Sequence, residues 1–187
     1  MMEREYQICT KCVMDTSDLE ITFDENGVCN HCTEYEQKKN RLIINVNQRE
    51  KALTSIIRKI KETSKNKKYD CIVGISGGVD SSYVAYLAKQ WGLRVLLVHL
   101  DNGWDSELAV KNVENIVKKT GFDLYTLVIN WEEFKDLQRS FFKADVVDLE
   151  LLSDHAIFAS VYKLTREYGI KYLLSGENFE TEAIMPK

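Results

Sequence analysis

The sequence predicts a doubly wound α/β fold built on a parallel sheet and preceded by a small segment with four cysteines. Three observations lead to this prediction. Short apolar runs alternate with amphipathic helical patterns over residues 69–187, polar or glycine-rich segments follow the apolar runs, and two Cys-x2-Cys pairs stand near the N-terminus. Strands and helices that alternate in this way favour right-handed crossovers and a sheet covered on both faces.

The composition is that of a globular protein. The chain has 187 residues, of which 44% are hydrophobic and 29% charged, enough for one ordinary domain and a small appendage. The net charge of −4 does not favour nucleic acid as a partner. We find no apolar run of the roughly 18 residues that a membrane span needs, and no apolar signal core at the N-terminus. We therefore expect a cytoplasmic protein without a membrane partner.

Residues 1–33 are predicted to form a zinc ribbon. Two Cys-x2-Cys turns, separated by sixteen residues, can place four thiolates on one tetrahedral ion, and the predicted ligands are Cys9, Cys12, Cys29 and Cys32. Between the pairs, residues 21–28 read as a hairpin that turns at Asn26-Gly27. So short a segment buries little apolar surface, so Zn²⁺ would supply folding energy. An iron–sulfur cluster is the alternative, and His31 is interpreted as a spectator.

Residues 34–68 are predicted to be a helical linker. Leu53, Ile56, Ile57 and Ile60 recur at helical spacing, which predicts a helix over about 48–64. The basic run at 65–68 that follows is interpreted as a solvated helix end, where cations suit the helix dipole.

Residues 69–187 are predicted to form the nucleotide-binding α/β domain. The predicted strands are 69–75, 94–100, 124–129 and 171–175, and the predicted helices are 82–91, 106–119, 132–142 and 154–168. The chain ends soon after the last strand without a closing helix, so we expect it to be a fragment of a longer protein. In open parallel sheets, ligands bind beyond the carboxyl ends of the strands. Polar residues follow three of these strands, at 76–81, 101–102 and 176–178.

The loop after the first strand is predicted to bind phosphate. Its glycines let backbone N–H groups approach an anion, and a helix N-terminus follows. The loop lacks the lysine of a Walker A motif and the spacing of a dinucleotide fingerprint. It matches the PP-loop of ATP pyrophosphatases, which have the adenine nucleotide alpha-hydrolase-like fold. The predicted ATP contacts here are Ser76, Gly77, Gly78, Val79, Asp80, Ser81 and Ser82. The resemblance to the PP-loop family implies that Asp80 helps to hold Mg²⁺ against the phosphates, and a helix cap is the other interpretation.

Further contacts are predicted at the ends of the second and fourth strands. Asp101 is a candidate for a ribose or metal contact, with a loop cap as the alternative. Gly176 would permit close approach of nucleotide, and Glu177 and Asn178 can contact metal, ATP or the activated carbonyl. His99 lies within the second strand and is interpreted as a packed, hydrogen-bonded residue.

The chain as a whole resembles the N-acetyl sugar amidotransferase family of PP-loop enzymes. The resemblance rests on residues 9–16 (Cys-Thr-Lys-Cys-Val-Met-Asp-Thr), 21–24 and 27–32, 76–81, and 153–157 (Ser-Asp-His-Ala-Ile). These enzymes act in surface polysaccharide (lipopolysaccharide) biosynthesis. The resemblance implies that ATP and Mg²⁺ activate the acetamido oxygen of an N-acetyl sugar, expected to be nucleotide-linked. Ammonia from a separate glutaminase subunit then displaces AMP to give an acetamidino group. Asp80, Ser81, His155 and Glu177 are the catalytic candidates.

Other functions remain open at this point. A tRNA thiolase of the same superfamily is disfavoured by the charge and because the predicted α/β domain holds only Cys71, interpreted as a core residue of the first strand. A carboxylate-amidating ligase would use the same adenylation. A non-catalytic nucleotide-binding module belongs to another class, and release of pyrophosphate distinguishes an enzyme from it.

Overall fold

The computed structural model describes residues 5–42, 46–146 and 148–177. They form an N-terminal unit that extends to Leu53 and an α/β unit over Thr54–Glu177. The helices are α1 (Asn30–Leu42), α2 (Val46–Thr63), α3 (Val79–Gln90), α4 (Glu107–Thr120), α5 (Trp131–Lys143) and α6 (Leu151–Tyr168). The strands are β1 (Cys71–Gly74), β2 (Val95–Asp101), β3 (Asp123–Val128) and β4 (Leu173–Leu174). In the described residues, no helix combines the length and apolarity needed to cross a membrane.

The four strands form one parallel sheet in the order β3-β2-β1-β4. From β1 the chain moves outward to β2 and β3, then crosses back to place β4 on the other side of β1. The direction of winding therefore reverses between β1 and β4, which is where such sheets bind ligands. This confirms the predicted doubly wound α/β fold.

Each face of the sheet has its own apolar core, as the period of two in a strand requires. Val73 and Leu97 point to the face that also buries Ile60 and parts of α3 and α4. Ile72 and Leu96 point to the other face, against Val161 and the rest of the α6 cluster. Continuous burial of Cys71–Val73 and of Val95–Val98 thus follows from helices on both sides.

Most elements begin and end within three residues of the predicted bounds. β1 is shorter than predicted because Tyr69 and Asp70, although buried, precede the regular ladder. α3 begins at Val79, three residues before the predicted start, so the last residues of the glycine loop are already helical. α1 was not predicted as a separate helix, and it begins at Asn30, inside the second cysteine pair. The predicted boundaries at residues 33 and 68 stay predictions.

A buried carboxylate joins the end of α2 to the start of the sheet. The backbone N of Arg94 donates to the Asp70 carboxylate at 2.7 Å, and the Arg94 Nη2 donates to it at 2.6 Å. The Ser64 hydroxyl also donates to this carboxylate. Burial alone would raise the pKa of Asp70, but the Arg94 and Ser64 donors outweigh it and lower that pKa below its usual value. Asp70 is therefore held ionised in the fold.

Candidate functional site

The glycine loop lies between β1 and α3, at the switch point of the sheet. Gly77 adopts a left-handed φ of +78°, and Gly78 is the N-cap residue of α3. No side chain caps this helix, whereas Ser106 caps α4 and Asn130 caps α5 through bonds to backbone N–H groups. The first turn of α3 thus keeps N–H groups available for an anion.

Three serine hydroxyls hold the loop in a closed turn. The Ser81 Oγ accepts from the Ser76 N–H at 3.3 Å and lies 3.2 Å from the Ser76 Oγ. The Ser76 Oγ in turn accepts from the Gly78 N–H at 3.4 Å, and the Ser82 hydroxyl donates to the Gly78 carbonyl. The turn is therefore preformed by its own side chains, with hydroxyls at its mouth that can donate to phosphate.

Gly77 is required by the neighbouring helix as well as by the loop. A Cβ at this position would overlap the carbonyl oxygen of Ala109 in α4, and the Asn112 Nδ2 donates to the Gly77 carbonyl at 3.0 Å. From the sequence, Gly77 was predicted only to let phosphate approach, and neither Ala109 nor Asn112 was predicted to contact it. These contacts were only weakly indicated by the sequence, because an alanine and an asparagine three positions apart are common on helices.

Gly176 closely approaches the loop. A Cβ there would lie 2.9 Å from the backbone N of Ser81 and 3.2 Å from the carbonyl carbon of Asp80. The predicted reason for this glycine, approach of nucleotide, is thus joined by contact with the first turn of α3. Glu177 follows it, exposed, with its N–H bonded to the Ser175 Oγ at 3.2 Å. Asn178 lies outside the described residues.

Asp80 and Val79 stand exposed in the first turn of α3. A carboxylate there interacts favourably with the helix dipole, and its exposed oxygens are ligands that Mg²⁺ prefers. The side chain of Asp80 does not cap the helix, so the capping alternative is wrong.

A cavity of about 250 Å³ opens beside the loop. Its lining includes Ser76, Ser81, Asn102, Asp105, Ile157 and Ser160. His99 borders it, buried as the sequence indicated. The His99 Nδ1 lies 2.9 Å from the Ile75 carbonyl, and its Nε2 lies 3.4 Å from Asp105 Oδ2. His99 therefore connects the last residue before the loop to the segment after β2.

Two predicted residues lie off this cavity. Asp101 lines a different cavity of about 560 Å³ on the α4 side, and its Oδ1 accepts from the Gly103 N–H at 3.1 Å. Its neighbour Asn102 faces the loop cavity instead, because side chains alternate along a strand, and donates to the Ser153 Oγ at 3.2 Å. His155 is exposed on α6, with Nδ1 2.8 Å from the Leu151 carbonyl. Substrate contacts for Asp101 and His155 stay predictions.

The four N-terminal cysteines converge, with all four sulfur atoms within 4.8 Å of one another. The Sγ atoms of Cys9 and Cys32 lie 3.9 Å apart, and those of Cys12 and Cys29 lie 3.7 Å apart. The backbone N–H groups of Lys11 and Cys29 both donate to the Cys9 Sγ at 3.3 Å. Such donors stabilise a thiolate, so the cluster fits a four-sulfur structural metal such as Zn²⁺.

The pKa shifts within the cluster differ in direction, because burial and the neighbouring thiols raise the pKa of the Cys29 and Cys32 thiols whereas that of Cys9 is lowered. Burial raises the pKa of the Cys9 thiol, but the N–H donors from Lys11 and Cys29 outweigh it and lower the pKa to about 6. His31 points elsewhere, with its Nε2 2.6 Å from Asp18 Oδ2, which agrees with its interpretation as a spectator.

The predicted hairpin between the cysteine pairs is reduced to one β-bridge, between Phe23 and Cys29. Its turn is held by Asp24, whose Oδ1 accepts from the N–H groups of Asn26 and Val28, and Gly27 has the left-handed φ of +75° that the turn needs. The bridge places Cys29 beside the first cysteine pair.

A family model described as NAD synthase matches residues 32–149, more than half of the chain. Among curated proteins, the chain is 30% identical over 135 residues to the tRNA-specific 2-thiouridylase MnmA of Clostridioides difficile, covering 63% of this chain and 36% of that protein. It is 38% identical over 76 residues to the tRNA(Ile)-lysidine synthase of Chlamydia pneumoniae, covering 38% and 23%. The chain thus spans little more than a third of these relatives' length at most.

Solved structures share the fold. The NH3-dependent NAD synthetase from Campylobacter jejuni superposes with a TM-score of 0.51 at 16% identity, over 70% of this chain and 57% of that one. The glutamine-dependent NAD+ synthetase from Acinetobacter baumannii gives a TM-score of 0.55 at 19% identity, over 68% and 24%. At such identities the likeness speaks for the fold alone.

Proposed function

Because the chain belongs to the NAD synthase family of PP-loop ATP pyrophosphatases, we propose that it is an ATP-dependent amidotransferase acting on an N-acetyl sugar, expected to be nucleotide-linked. The acetamido oxygen attacks the α-phosphate of ATP, and pyrophosphate leaves. Ammonia adds to the adenylated imidate carbon, and AMP departs with the former amide oxygen, leaving an acetamidino group. No protein nucleophile takes part.

The observation that carries this proposal is the uncapped N-terminus of α3 within the serine-closed turn. Its N–H groups and the Ser76 and Ser81 hydroxyls can hold the β- and γ-phosphates and stabilise the charge that develops on the leaving pyrophosphate. Mg²⁺, when bound, neutralises part of that charge, and Asp80 is the exposed carboxylate placed to hold it.

The choice of amidation rests on the family and the sequence resemblance together. The family is named for NAD synthase. The resemblance of residues 9–16, 27–32 and 153–157 to the sugar amidotransferases favours ammonia as the second nucleophile. The ammonia source in the cell is proposed to be a separate glutaminase subunit, so the isolated protein should use ammonium salts and not glutamine.

An oxygen label tests the reaction. The full-length gene product would be incubated with ATP, Mg²⁺, ammonium chloride and UDP-N-acetylglucosamine carrying ¹⁸O in its acetyl carbonyl. We expect the label in AMP and an amidine in the sugar, both detected by mass spectrometry. Formation of ADP, or of AMP without the label, contradicts the proposal.

A matched pair of variants tests the role given to Asp80. Asp80→Asn should raise the Mg²⁺ concentration needed for half-maximal rate by about tenfold, because one carboxylate ligand is lost. Glu107→Gln removes the corresponding first-turn carboxylate of α4 and should leave this concentration unchanged. An equal effect of both variants would remove Asp80 from the site.

Thiolation of tRNA is the second candidate, and the likeness to the tRNA-specific 2-thiouridylase supports it. The α/β unit gives it little support, because Cys71 is fully buried in β1 and burial raises the pKa of its thiol to about 12. A thiolase would release AMP when given unmodified tRNA and sulfide, without any N-acetyl sugar. The same assay therefore separates the two functions.

A further inference from the structure

Three aromatic side chains form a ladder from the core to the surface of the α/β unit. Phe134 is buried at its base, Trp131 is 39% exposed, and Trp104 at the outer end is 66% exposed. The ring centroids of Trp104 and Trp131 lie 5.7 Å apart at 74°, and those of Trp131 and Phe134 lie 6.4 Å apart. Edge contacts of this kind are favourable, so the ladder supports the outer indole while leaving most of it in water.

The segment that carries Trp104 is held in place by specific bonds. The Asn102 Oδ1 accepts from the Trp104 N–H at 3.0 Å, and the Gln138 Oε1 accepts from the indole Nε1 at 3.1 Å. Gly103 has a φ of +79°, and a Cβ there would lie 3.2 Å from the Trp131 ring. The backbone N–H and the indole N–H of Trp104 are thus fixed, its ring contacts Trp131, and the rest of the side chain is exposed to solvent.

Trp104 belongs to the segment that borders the loop cavity, because its backbone N–H donates to the side chain of Asn102, which lines that cavity. Asn102 and Asp105, which flank it in the sequence, both line that cavity together with Ser76 and Ser81 of the glycine loop. A large, fixed and exposed aromatic surface beside a cavity is a common mark of a ligand site. A ligand stacked on this indole would lie beside the segment that carries Asn102 and Asp105 into the loop cavity.

We propose that Trp104 is the stacking platform for the pyranose ring of the N-acetyl sugar, an inference that rests on the proposed function. The reacting acetamido oxygen must reach the α-phosphate, so the sugar ring must lie next to the phosphates. The apolar C–H face of a pyranose is complementary to an indole face. Because the platform is preorganised by Gln138 and Trp131, stacking costs little ordering of the protein.

Kinetics of two variants test the platform. In the full-length gene product, Trp104→Ala should raise the KM for UDP-N-acetylglucosamine at least tenfold, and Trp104→Phe should restore part of the loss. The Kd for ATP should stay within twofold. Tyr162→Ala is the matched control, because it removes a similarly exposed aromatic ring on α6 that lines a separate cavity with Lys163 and Arg166, and it should leave both constants unchanged.

Fluorescence of the wild-type protein provides a test that needs no folded variant. With α,β-methylene ATP present to prevent turnover, UDP-N-acetylglucosamine should shield a tryptophan from acrylamide quenching, whereas UDP alone should not. Equal shielding by UDP would mean that the indole stacks on the uracil base and not on the sugar, and it would overturn the proposal.

The kinetic outcomes distinguish failure of the Trp104 platform from failure of the amidotransferase function. A sugar KM that stays within twofold in Trp104→Ala, or an ATP Kd that rises as much as the sugar KM, overturns the platform while the amidotransferase function stands. If the wild-type protein releases no labelled AMP with the sugar, the proposed function fails first, and the platform fails with it.

Discussion

The N-terminal unit and the α/β unit are stabilised by different interactions. The described core of the N-terminal unit consists of Ile21 and three buried cysteines, with a few partly buried neighbours. The α/β unit has two apolar clusters, one on each face of its sheet. We therefore expect the first unit to depend on a metal held by its cysteines, whereas the second depends on packing. A change in one unit should therefore leave the other unit folded.

The largest effect is expected from removing a cysteine ligand. Cys29→Ser should abolish stoichiometric zinc and unfold residues 5–33, because structural zinc contributes about 10 kcal/mol to folding. Metal analysis and hydrogen exchange of peptides from 5–33 and 71–101 would measure this. The strand peptides should keep their protection. Cys71→Ala is the control and should retain zinc; retention of zinc and protection in Cys29→Ser would contradict the metal site.

The next largest effect on stability is expected from substituting one of two glycines that both have a left-handed φ. Gly77→Ala should cost about 4 kcal/mol of unfolding free energy, since a left-handed φ and overlap with Ala109 both oppose the methyl group. Gly121 has a φ of +69°, but no atom lies within 4 Å of the position of an added Cβ. Gly121→Ala should therefore cost about 1 kcal/mol of unfolding free energy. Urea unfolding of both variants measures the difference. Equal costs would show that contact with α4 is unimportant.

Core truncation compares the two units directly. Leu97→Ala should lower the unfolding free energy of the α/β unit by about 3 kcal/mol, because Leu97 is fully buried in the sheet. Ile21→Ala removes an equally buried side chain from the N-terminal unit and should leave the unfolding transition of the α/β unit unchanged. Far-UV circular dichroism measures this transition during urea unfolding. A similar shift in both variants would mean that the units unfold together.

The smallest effect is a dependence on pH. Because the pKa of Asp70 is lowered in the fold, its stabilisation is present above the ordinary carboxyl pKa of about 3.9 and is lost as the pH falls through the folded value. Asp70→Asn should cost about 1 kcal/mol near neutral pH and flatten this acid dependence. Unfolding free energies measured from pH 6 to pH 3 test it. An unchanged slope in the variant would assign the acid dependence to other carboxylates.

The order and type of the α/β elements could be predicted because their apolar periodicity is strong. Val113, Ile116 and Val117 repeat at helical spacing in α4, and Val95–Val98 is continuously apolar in β2. The start of α3 was predicted three residues too late because the serines and glycines before Ser82 suggest a loop, whereas residues 79–81 are already helical. α1 was missed because its start at Asn30 lies between two metal-ligand candidates.

The site could be predicted only as far as it is local in the sequence. The glycine loop follows from consecutive residues. Asn112 and Gln138 act through contacts that bring distant segments together, and no pattern in one sequence marks such contacts. Asp101 and Asn102 are neighbours in the sequence, but which of their side chains faces the loop cavity depends on the pleat at the end of β2.

The contact between Gly176 and the first turn of α3 has a consequence for protein synthesis. The ribosome makes the glycine loop about a hundred residues before it makes Gly176. At roughly 5–20 residues per second, the nascent loop waits about 5–20 seconds for β4 and the glycine that completes its surroundings. The newborn chain should therefore acquire nucleotide affinity only late in translation, after most of the sheet has already assembled.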